Sequence, residues 1–374
     1  LFGRIFTLII YICIGPLLAI PRTAGTSYAM FGFVTERAGD GAIFGLSVQL
    51  VLSIGFSALF FLAAGLLARN PEKLKDVLGK RMTPVLLFLI AAMFVASLLH
   101  PELTSGAPTE RYATGALAAG FVDGYQTMDL LAGLYFGIVI SANISSMGVE
   151  DEHDNRGIGG IFTGIMLAII YAMLGFVGAV SGSYQAIDGA TDTGATVLTN
   201  LTDRLFGHVG TMFVGLIFIV ACFNVCSGLL STCSSYFHKQ FGTVLGYRGW
   251  TIVFTLIALV IANIGLSAII KLSVPVLEAL YPIAIVLVLL SLLHGVFTRH
   301  FPAVYFWTVL FTAIDSVANG IANLVAAFGG RLVWLETACN WLPLNSVALG
   351  WVVPALAGFV VGIIVSIAER MHTH

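Results

Sequence analysis

The sequence predicts an all-α polytopic membrane protein with about ten transmembrane helices, and two observations carry that prediction. The first is composition. Of 374 residues, 58% are hydrophobic and only 10% are charged, and the mean hydropathy is +0.99. A soluble domain of this length needs far more exterior charge than 17 Lys and Arg and 19 Asp and Glu residues supply. The second is arrangement. The apolar residues come in ten blocks, most of them reaching the ~20 residues that a helix needs to cross a ~30 Å hydrocarbon core.

In chain order the first block is Ile5–Met30, punctuated by Pro16, Pro21 and Arg22. Proline cannot donate the helical hydrogen bond, so a kink is expected there. Arg22 needs a carboxylate or carbonyl partner, or must snorkel to the interface. Phe44–Ala68 follows as a plain span, and Pro84–Leu99 is short for one. Gly115–Met147 is too long for a single straight span. Then come Ile158–Val180, Met212–Phe237, Thr251–Ile270, Val274–Leu293, Ala303–Phe328 and Ser346–Ile367. The same pattern also permits nine or eleven spans. Connections are short, apart from Ser181–Gly210, whose Gly, Thr and Asp content reads as an external loop. Residues 1–374 form a single transmembrane domain on this reading.

Charge placement gives an orientation. Eleven Lys and Arg residues fall on the side that holds Arg4 and the 69–81 segment, and five on the other. The positive-inside rule then puts both ends of the chain in the cytoplasm, in a plasma (inner) membrane. The acidic run Glu150–Asp154 counts little in that rule. A net charge of −2 with no basic cluster offers nothing to nucleic acid. The five cysteines lie in or beside apolar segments. Cys222 and Cys226 are one helical turn apart, but no His or carboxylate in that segment completes a ligand set, so they read as packing residues and no metal site is expected. Asn200-Leu-Thr202 fits a glycosylation acceptor, a pattern that also arises by chance.

Function in such a chain is sought at polar groups that a lipid-facing helix would not tolerate. The first candidate is the run from Gly120 to Asp129, where two glycines, Asp123, Gln126, Thr127 and Asp129 interrupt the longest apolar block. Two readings fit it. Either the helix breaks inside the membrane, freeing N–H and C=O groups to bind a carboxylate and a cation, or the run is an external loop. The second candidate is a stripe in the sixth block: Asn224, Ser227, Ser231 and Ser234 or Ser235 share a helix face, with Thr232 beside it. Its hydroxyls suit a small hard cation, or serve as interhelical packing. The third is Asp315, Asn319 and Asn323, each four residues apart. That face must look into the protein, as a proton relay or as an anchor for the bundle, and anchoring is the preferred reading. Glu278, between Pro275 and Pro282, reads as architecture. The pattern predicts a carrier of a small solute.

Several segments resemble one family. Gly15-Pro-Leu-Leu-Ala-Ile-Pro-Arg-Thr-Ala24 is similar to the third-helix signature of the branched-chain amino acid:cation symporters, the system II carriers. Gly120-Phe, Asp123-Gly-Tyr and Thr127-Met-Asp129, followed by Phe136-Gly-Ile-Val139, resemble that family's sixth helix. Val274 to Pro282 resembles its tenth, and Gly194 to Thr199 with Phe206-Gly207 resembles the external loop before its eighth. The resemblance runs along the whole chain. It implies a LeuT-type fold, in which the first ten of twelve helices form two inverted five-helix repeats and the sixth is discontinuous. The ten blocks then correspond to helices three to twelve. The start at Leu1 rather than Met also reads as a chain that has lost its first two helices.

The resemblance implies sodium-coupled, or else proton-coupled, symport of leucine, isoleucine or valine into the cell. It places the substrate against Gly124, Tyr125, Gln126 and Thr127, with Ile20 and Thr23 nearby. It assigns the ion to Ser227, Ser231 and Thr232, although the family's eighth helix is richer in Thr than Asn224-Val-Cys-Ser-Gly228. Asp123, Asp129, Asn224, Asp315 and Asn319 are the other intramembrane polar groups of interest. Beyond the coupling ion no cofactor is implied, and the partners are the substrate and the bilayer. Half of the substrate site would belong to the missing first helix, so the chain alone is expected not to transport. A carrier of another small neutral solute is the nearest alternative. A membrane-embedded enzyme would need Asp129, Glu278 and Asp315 to converge, which their sequence separation does not suggest.

Overall fold

The computed structural model describes residues 2–30, 42–43, 46–69, 83–100, 108, 110–146, 152–184, 194–295 and 301–372. It is helical almost throughout, as the sequence predicts, with one two-residue antiparallel ladder (β1, Ala42–Ile43; β2, Leu46–Ser47). The chain forms two compact units, residues 1–107 with 136–269, and residues 108–135 with 270–374.

In the first unit the opening apolar block is not one straight helix. α1 (Phe2–Ile12) passes through a π-helical turn at Cys13–Leu17 into α2 (Ala19–Met30). Pro16 supplies no N–H, and the chain closes a wider loop instead, from the Leu18 N–H to the Cys13 carbonyl at 3.0 Å. The Tyr11 carbonyl accepts the Cys233 thiol at 3.6 Å. Gly15 permits this approach, because a Cβ there would lie 2.9 Å from Cys233 Sγ.

α3 (Val48–Ala68) is capped by Ser47, whose hydroxyl oxygen accepts the Leu50 N–H at 3.3 Å. It buries Ser57, Phe61, Ala64 and Ala68, spaced three or four apart, against α2, α8 (Gly194–Phe241) and α9 (Tyr247–Ala262). Its other face is equally apolar, with Leu59 69% and Leu62 60% exposed. A helix that is hydrophobic on both its packed and its outer face is what a bilayer solvates. α4 (Thr83–Leu99), α7 (Glu152–Tyr184) and α8 meet in a smaller core of Met93, Val177, Val180, Leu201 and Val214.

The second unit holds α5 (Glu110–Asp123), a 3-10 turn at Gly124–Thr127, the start of α6 (Asp129–Ser146), most of α10 (Leu266–Leu292), α11 (Ala303–Ala327), α12 (Val333–Asn340) and α13 (Val352–His372). α11 and α13 pack along more of their length than any other pair there. The surface between them is made by small residues: a Cβ at Gly358 would come within 2.5 Å of the Trp307 carbonyl oxygen, and one at Gly362 within 2.5 Å of Val304 Cα. The four-residue spacing of these glycines lets two backbones touch along one helix turn.

Among the described residues, seven helices are long and apolar enough to cross a membrane. Thr83–Leu99 and Tyr247–Ala262 are shorter apolar helices. With the broken α5–α6 segment, each of the ten blocks has a helical counterpart. Two boundaries need correction. Residues 194–206 are not loop but the first part of α8, whose Leu198, Leu201 and Leu205 pack at helical spacing into the small core. The kink comes only at Gly207, with φ +67°, a backbone conformation that glycine adopts freely. The last span begins at Val352 rather than Ser346, after a 3-10 turn at Asn345–Val347. The 70–82 part of the basic segment, Arg37, Glu150–Asp151 and residues 185–193 lie outside the described residues, and with them much of the basis for the orientation.

Candidate functional site

A short turn interrupts the helix within the 120–129 run, an arrangement that both of its readings allow. α5 ends at Asp123, a 3-10 turn occupies Gly124–Thr127, and Met128 adopts the left-handed conformation (φ 60°, ψ 14°) before α6 starts at Asp129. Local chemistry holds it. The Thr127 hydroxyl donates to the Gly124 carbonyl at 2.7 Å, and the Met128 N–H donates to the Tyr125 carbonyl at 3.1 Å. The Tyr112 hydroxyl donates to Asp123 Oδ2. Asp129 sits in the first turn of α6, where a negative charge meets the positive end of the helix dipole. Tyr125 is buried, stacked on Tyr281 of α10 with ring centroids 4.5 Å apart. Gln126 is half-buried, and Gly124 and Thr127 are exposed.

The same unit holds a partly open polar cavity of about 300 Å³. Three carboxylates line it: Glu278 on α10, Asp315 on α11 and Glu336 on α12. Asn323 Nδ2 donates to Glu278 Oε2 at 2.6 Å, and Asn319 Nδ2 to Asp315 Oδ1 at 3.1 Å. Gly320 lets α11 approach α10 closely here, since a Cβ would lie 2.7 Å from Ala279 Cβ and 2.8 Å from the Pro275 carbonyl oxygen. Sequence separation gives no reason to join Glu278 to Asp315, and each alone reads as architecture, yet the structure places both on one cavity. Asp129 does not line it. Glu336, Asn340, Asn345 and Trp351 also line it, and sequence reading misses them. Their one signal is a density of amide and acidic groups in a connection between two spans.

In the first unit, Ser227 is fully buried and Ser231 and Thr232 nearly so, one turn apart along α8, while Asn224 is half-buried. The Ser227 hydroxyl donates to the Phe223 carbonyl at 2.9 Å. Ser231 Oγ lies 3.1 Å from the Tyr247 hydroxyl, a partner that sequence reading does not anticipate. On α2, Ile20 is fully buried and Thr23 donates to its carbonyl at 2.6 Å. Cys222 lies against Ser27 and Cys226 against Thr23, so the cysteine pair packs α8 onto α2. Thr202 of the possible glycosylation triplet is fully buried within α8.

A family model described as "Branched-chain amino acid transport protein" matches residues 1–369. The chain is similar to the branched-chain amino acid permease BrnQ of Bacillus subtilis, 34% identical over 371 residues that cover 98% of this chain and 80% of that protein. The permease BraB of the same organism is 35% identical over 369 residues, covering 98% and 79%. The branched-chain amino acid transport system 2 carrier protein of Pseudomonas aeruginosa is 34% identical over 365 residues, covering 97% and 79%.

Proposed function

This chain belongs to the branched-chain amino acid transport protein family, and on that premise we propose that it is a secondary carrier moving leucine, isoleucine and valine into the cell with Na⁺. The family is one of transporters and not of enzymes, which sets aside the membrane-enzyme reading. The observation that supports a carrier most directly is the helix break at Gly124–Met128, amid apolar helices, with Thr127 and Gly124 exposed at it. A bilayer tolerates irregular backbone only where it lines a cavity or binds a solute. We assign the amino acid's charged ends to Gly124, Tyr125, Gln126 and Thr127, and keep Ile20 and Thr23 as pocket candidates on α2.

The coupling ion is assigned to Ser227, Ser231 and Thr232. The geometry at Ser231 favours this. The Tyr247 hydroxyl lies 2.5 Å from the Ala68 carbonyl oxygen and 3.1 Å from Ser231 Oγ. Its single proton goes to the carbonyl, which can only accept, so Ser231 donates to Tyr247 and keeps its lone pairs for a cation. One cation descending ~100 mV supplies about 2.3 kcal/mol, and a tenfold gradient adds about 1.4 kcal/mol. Together they sustain a neutral amino acid gradient on the order of several hundredfold. We place the carrier in the plasma membrane with both ends of this chain cytoplasmic.

Radiolabelled leucine uptake into proteoliposomes holding the purified protein tests the reading. Accumulation that needs an inward Na⁺ gradient, and that isoleucine and valine compete away, is the expected result. Accumulation driven equally by a proton gradient in choline would replace the sodium assignment. No accumulation under either gradient, from folded protein, would remove the function.

A further inference from the structure

We propose that the groove between the C-terminal half of α3 and the first half of α9 binds one anionic phospholipid of the bilayer, which lays an acyl chain along the groove and sets its phosphate on Arg69. The groove lies wholly within the first unit. It shares no residue with the substrate and ion assignments above, so it stands whether or not the chain transports.

The groove follows from residue size. α3 and α9 run antiparallel: Ser57 Oγ donates to Asn263 Oδ1 at 3.1 Å toward one end, and the Tyr247 hydroxyl donates to the Ala68 carbonyl at 2.5 Å at the other. Between these ties Gly65 has no side chain, and a Cβ there would lie only 3.1 Å from Thr255 Oγ1. The two helices therefore touch at the floor. Leu62 and Leu66 on α3 and Ile252 and Leu256 on α9 rise as walls around a volume of about 160 Å³. Each wall pair is four residues apart and so shares a helix face. These four side chains are between 44% and 60% exposed, which opens the groove outward on an apolar surface.

The hydroxyls in the groove are already used. Thr255 donates to the Thr251 carbonyl at 2.6 Å, and Thr251 to the Tyr247 carbonyl at 2.9 Å. Their protons are spent within α9, so the groove offers hydrocarbon surface to an acyl chain rather than donors to a polar solute. From Phe61 to Arg69 it runs about 12 Å along α3.

Charge identifies the headgroup. Arg69 is the one charged residue among the described lining residues, and it stands at one end of the groove. It directly follows Val48–Ala68, an apolar helix of 21 residues long enough to cross a membrane. That is the depth at which a bilayer passes from hydrocarbon to phosphate. Tyr247, bonded to Ala68, and Trp250 in the same opening turn of α9 mark that level, where amphipathic aromatic rings collect. Arg69 is exposed, and no carboxylate among the described residues pairs with it. A guanidinium presents parallel N–H donors that match a phosphate. A choline headgroup would bring a second cation to the same place, whereas a phosphate diester of glycerol would not, so the anionic lipid is the better fit.

The experiment is native mass spectrometry of the purified protein from detergent micelles, titrated with phosphatidylglycerol or phosphatidylcholine of identical acyl chains. The first phosphatidylglycerol should bind about fivefold tighter than the first phosphatidylcholine, the factor expected of one basic contact at a membrane surface. Arg69→Gln should erase that preference. Lys239→Gln removes an exposed cation from the last turn of α8, at the same end of the unit but outside the groove, and should keep it. Leu66→Trp fills the groove and should weaken both lipids alike, with Ile252→Trp in its place should it not fold. Every variant is checked by its thermal unfolding midpoint. Glycerol 1-phosphate, a headgroup without chains, should displace nothing. Equal affinity for the two lipids in the wild type, or equal losses in Arg69→Gln and Lys239→Gln, would overturn the proposal. So would displacement by glycerol 1-phosphate, which would mark a bare anion site. A dimer that forms in place of the lipid adduct and is lost in Leu66→Trp would overturn it too, and give the groove to a second copy of the chain.

Discussion

The hydroxyl of Tyr247 joins Ser231 on α8 to the last carbonyl of α3, lying 3.1 Å from Ser231 Oγ and 2.5 Å from the Ala68 oxygen. One phenol thus fixes the end of α3 and the orientation of a proposed ion ligand. Tyr247→Phe removes both contacts and leaves a buried carbonyl and a hydroxyl short of a partner, at an expected cost of about 1–3 kcal/mol. Because Ser231 is then free to rotate, the sodium concentration for half-maximal uptake should rise. Ser231→Ala deletes the oxygen itself and should raise it further, about tenfold for each ~1.4 kcal/mol of ion binding lost. Both are read from sodium titrations of leucine uptake. An unchanged half-saturation in Ser231→Ala, with folding intact, would take Ser231 out of the ion site.

Met128 holds the break open by adopting φ 60° and ψ 14° with its side chain buried. The left-handed region costs an L-residue about 1–2 kcal/mol, and more when the side chain is β-branched. Met128→Leu conserves volume and branching at Cβ, so a loss below about 1.5 kcal/mol is expected. Met128→Ile has nearly the same volume but branches at Cβ, and should lose clearly more stability and most uptake. Thermal unfolding of the two variants side by side makes the comparison. Equal midpoints would show that the backbone at 128 relaxes out of the left-handed region.

The spans are legible in the sequence because apolar length is a one-dimensional property. The break is legible because Gly120, Gly124 and four polar residues interrupt an apolar run locally. What stays hidden is of two kinds. Residues 194–206 read as loop by their Gly, Thr and Asp content, although Leu198, Leu201 and Leu205 already carry the helical period. There composition outweighs periodicity. The carboxylate cavity is hidden for a different reason. Glu278 and Asn323 meet at 2.6 Å across 45 positions of chain, and no local pattern encodes which helices pair. The close approach depends on Gly320 facing Ala279, a choice of small residues visible only once the partner helix is known.

The α11–α13 contact should be the least tolerant surface in the second unit. At Gly362 a new Cβ would lie 2.5 Å from Val304 Cα and 2.9 Å from its nitrogen, backbone atoms that cannot step aside. Gly362→Ala should therefore cost about 1–3 kcal/mol by overpacking. At Gly55 of α3 a Cβ would meet nothing within 4 Å, and Gly55→Ala should be neutral or stabilise by up to about 1 kcal/mol. Thermal unfolding in one detergent ranks the pair. A Gly362→Ala variant as stable as wild type would mean that the two helices pack farther apart than this structure has them.

Thr127 offers the sharpest test of the substrate assignment, because its hydroxyl has two roles that one methyl-for-hydroxyl exchange removes together. Its proton is committed to the Gly124 carbonyl at 2.7 Å, which closes the 3-10 turn. Its oxygen keeps two lone pairs, directed away from that bond, that can accept from the substrate's ammonium. Thr127→Ser retains both functions and should preserve leucine uptake. Thr127→Val keeps the shape and loses both, so uptake at low leucine should fall about tenfold or more for a lost interaction of ~1.4 kcal/mol. Competition by isoleucine and valine should change little in that variant. An apolar pocket separates side chains that differ by one methylene by only about 1–3 kcal/mol, and Thr127 is assigned to the charged end rather than to that pocket. If Thr127→Val instead altered the order of preference among the three amino acids while leaving affinity intact, the residue would belong to the side-chain pocket, and the charged ends would have to be sought elsewhere along the break.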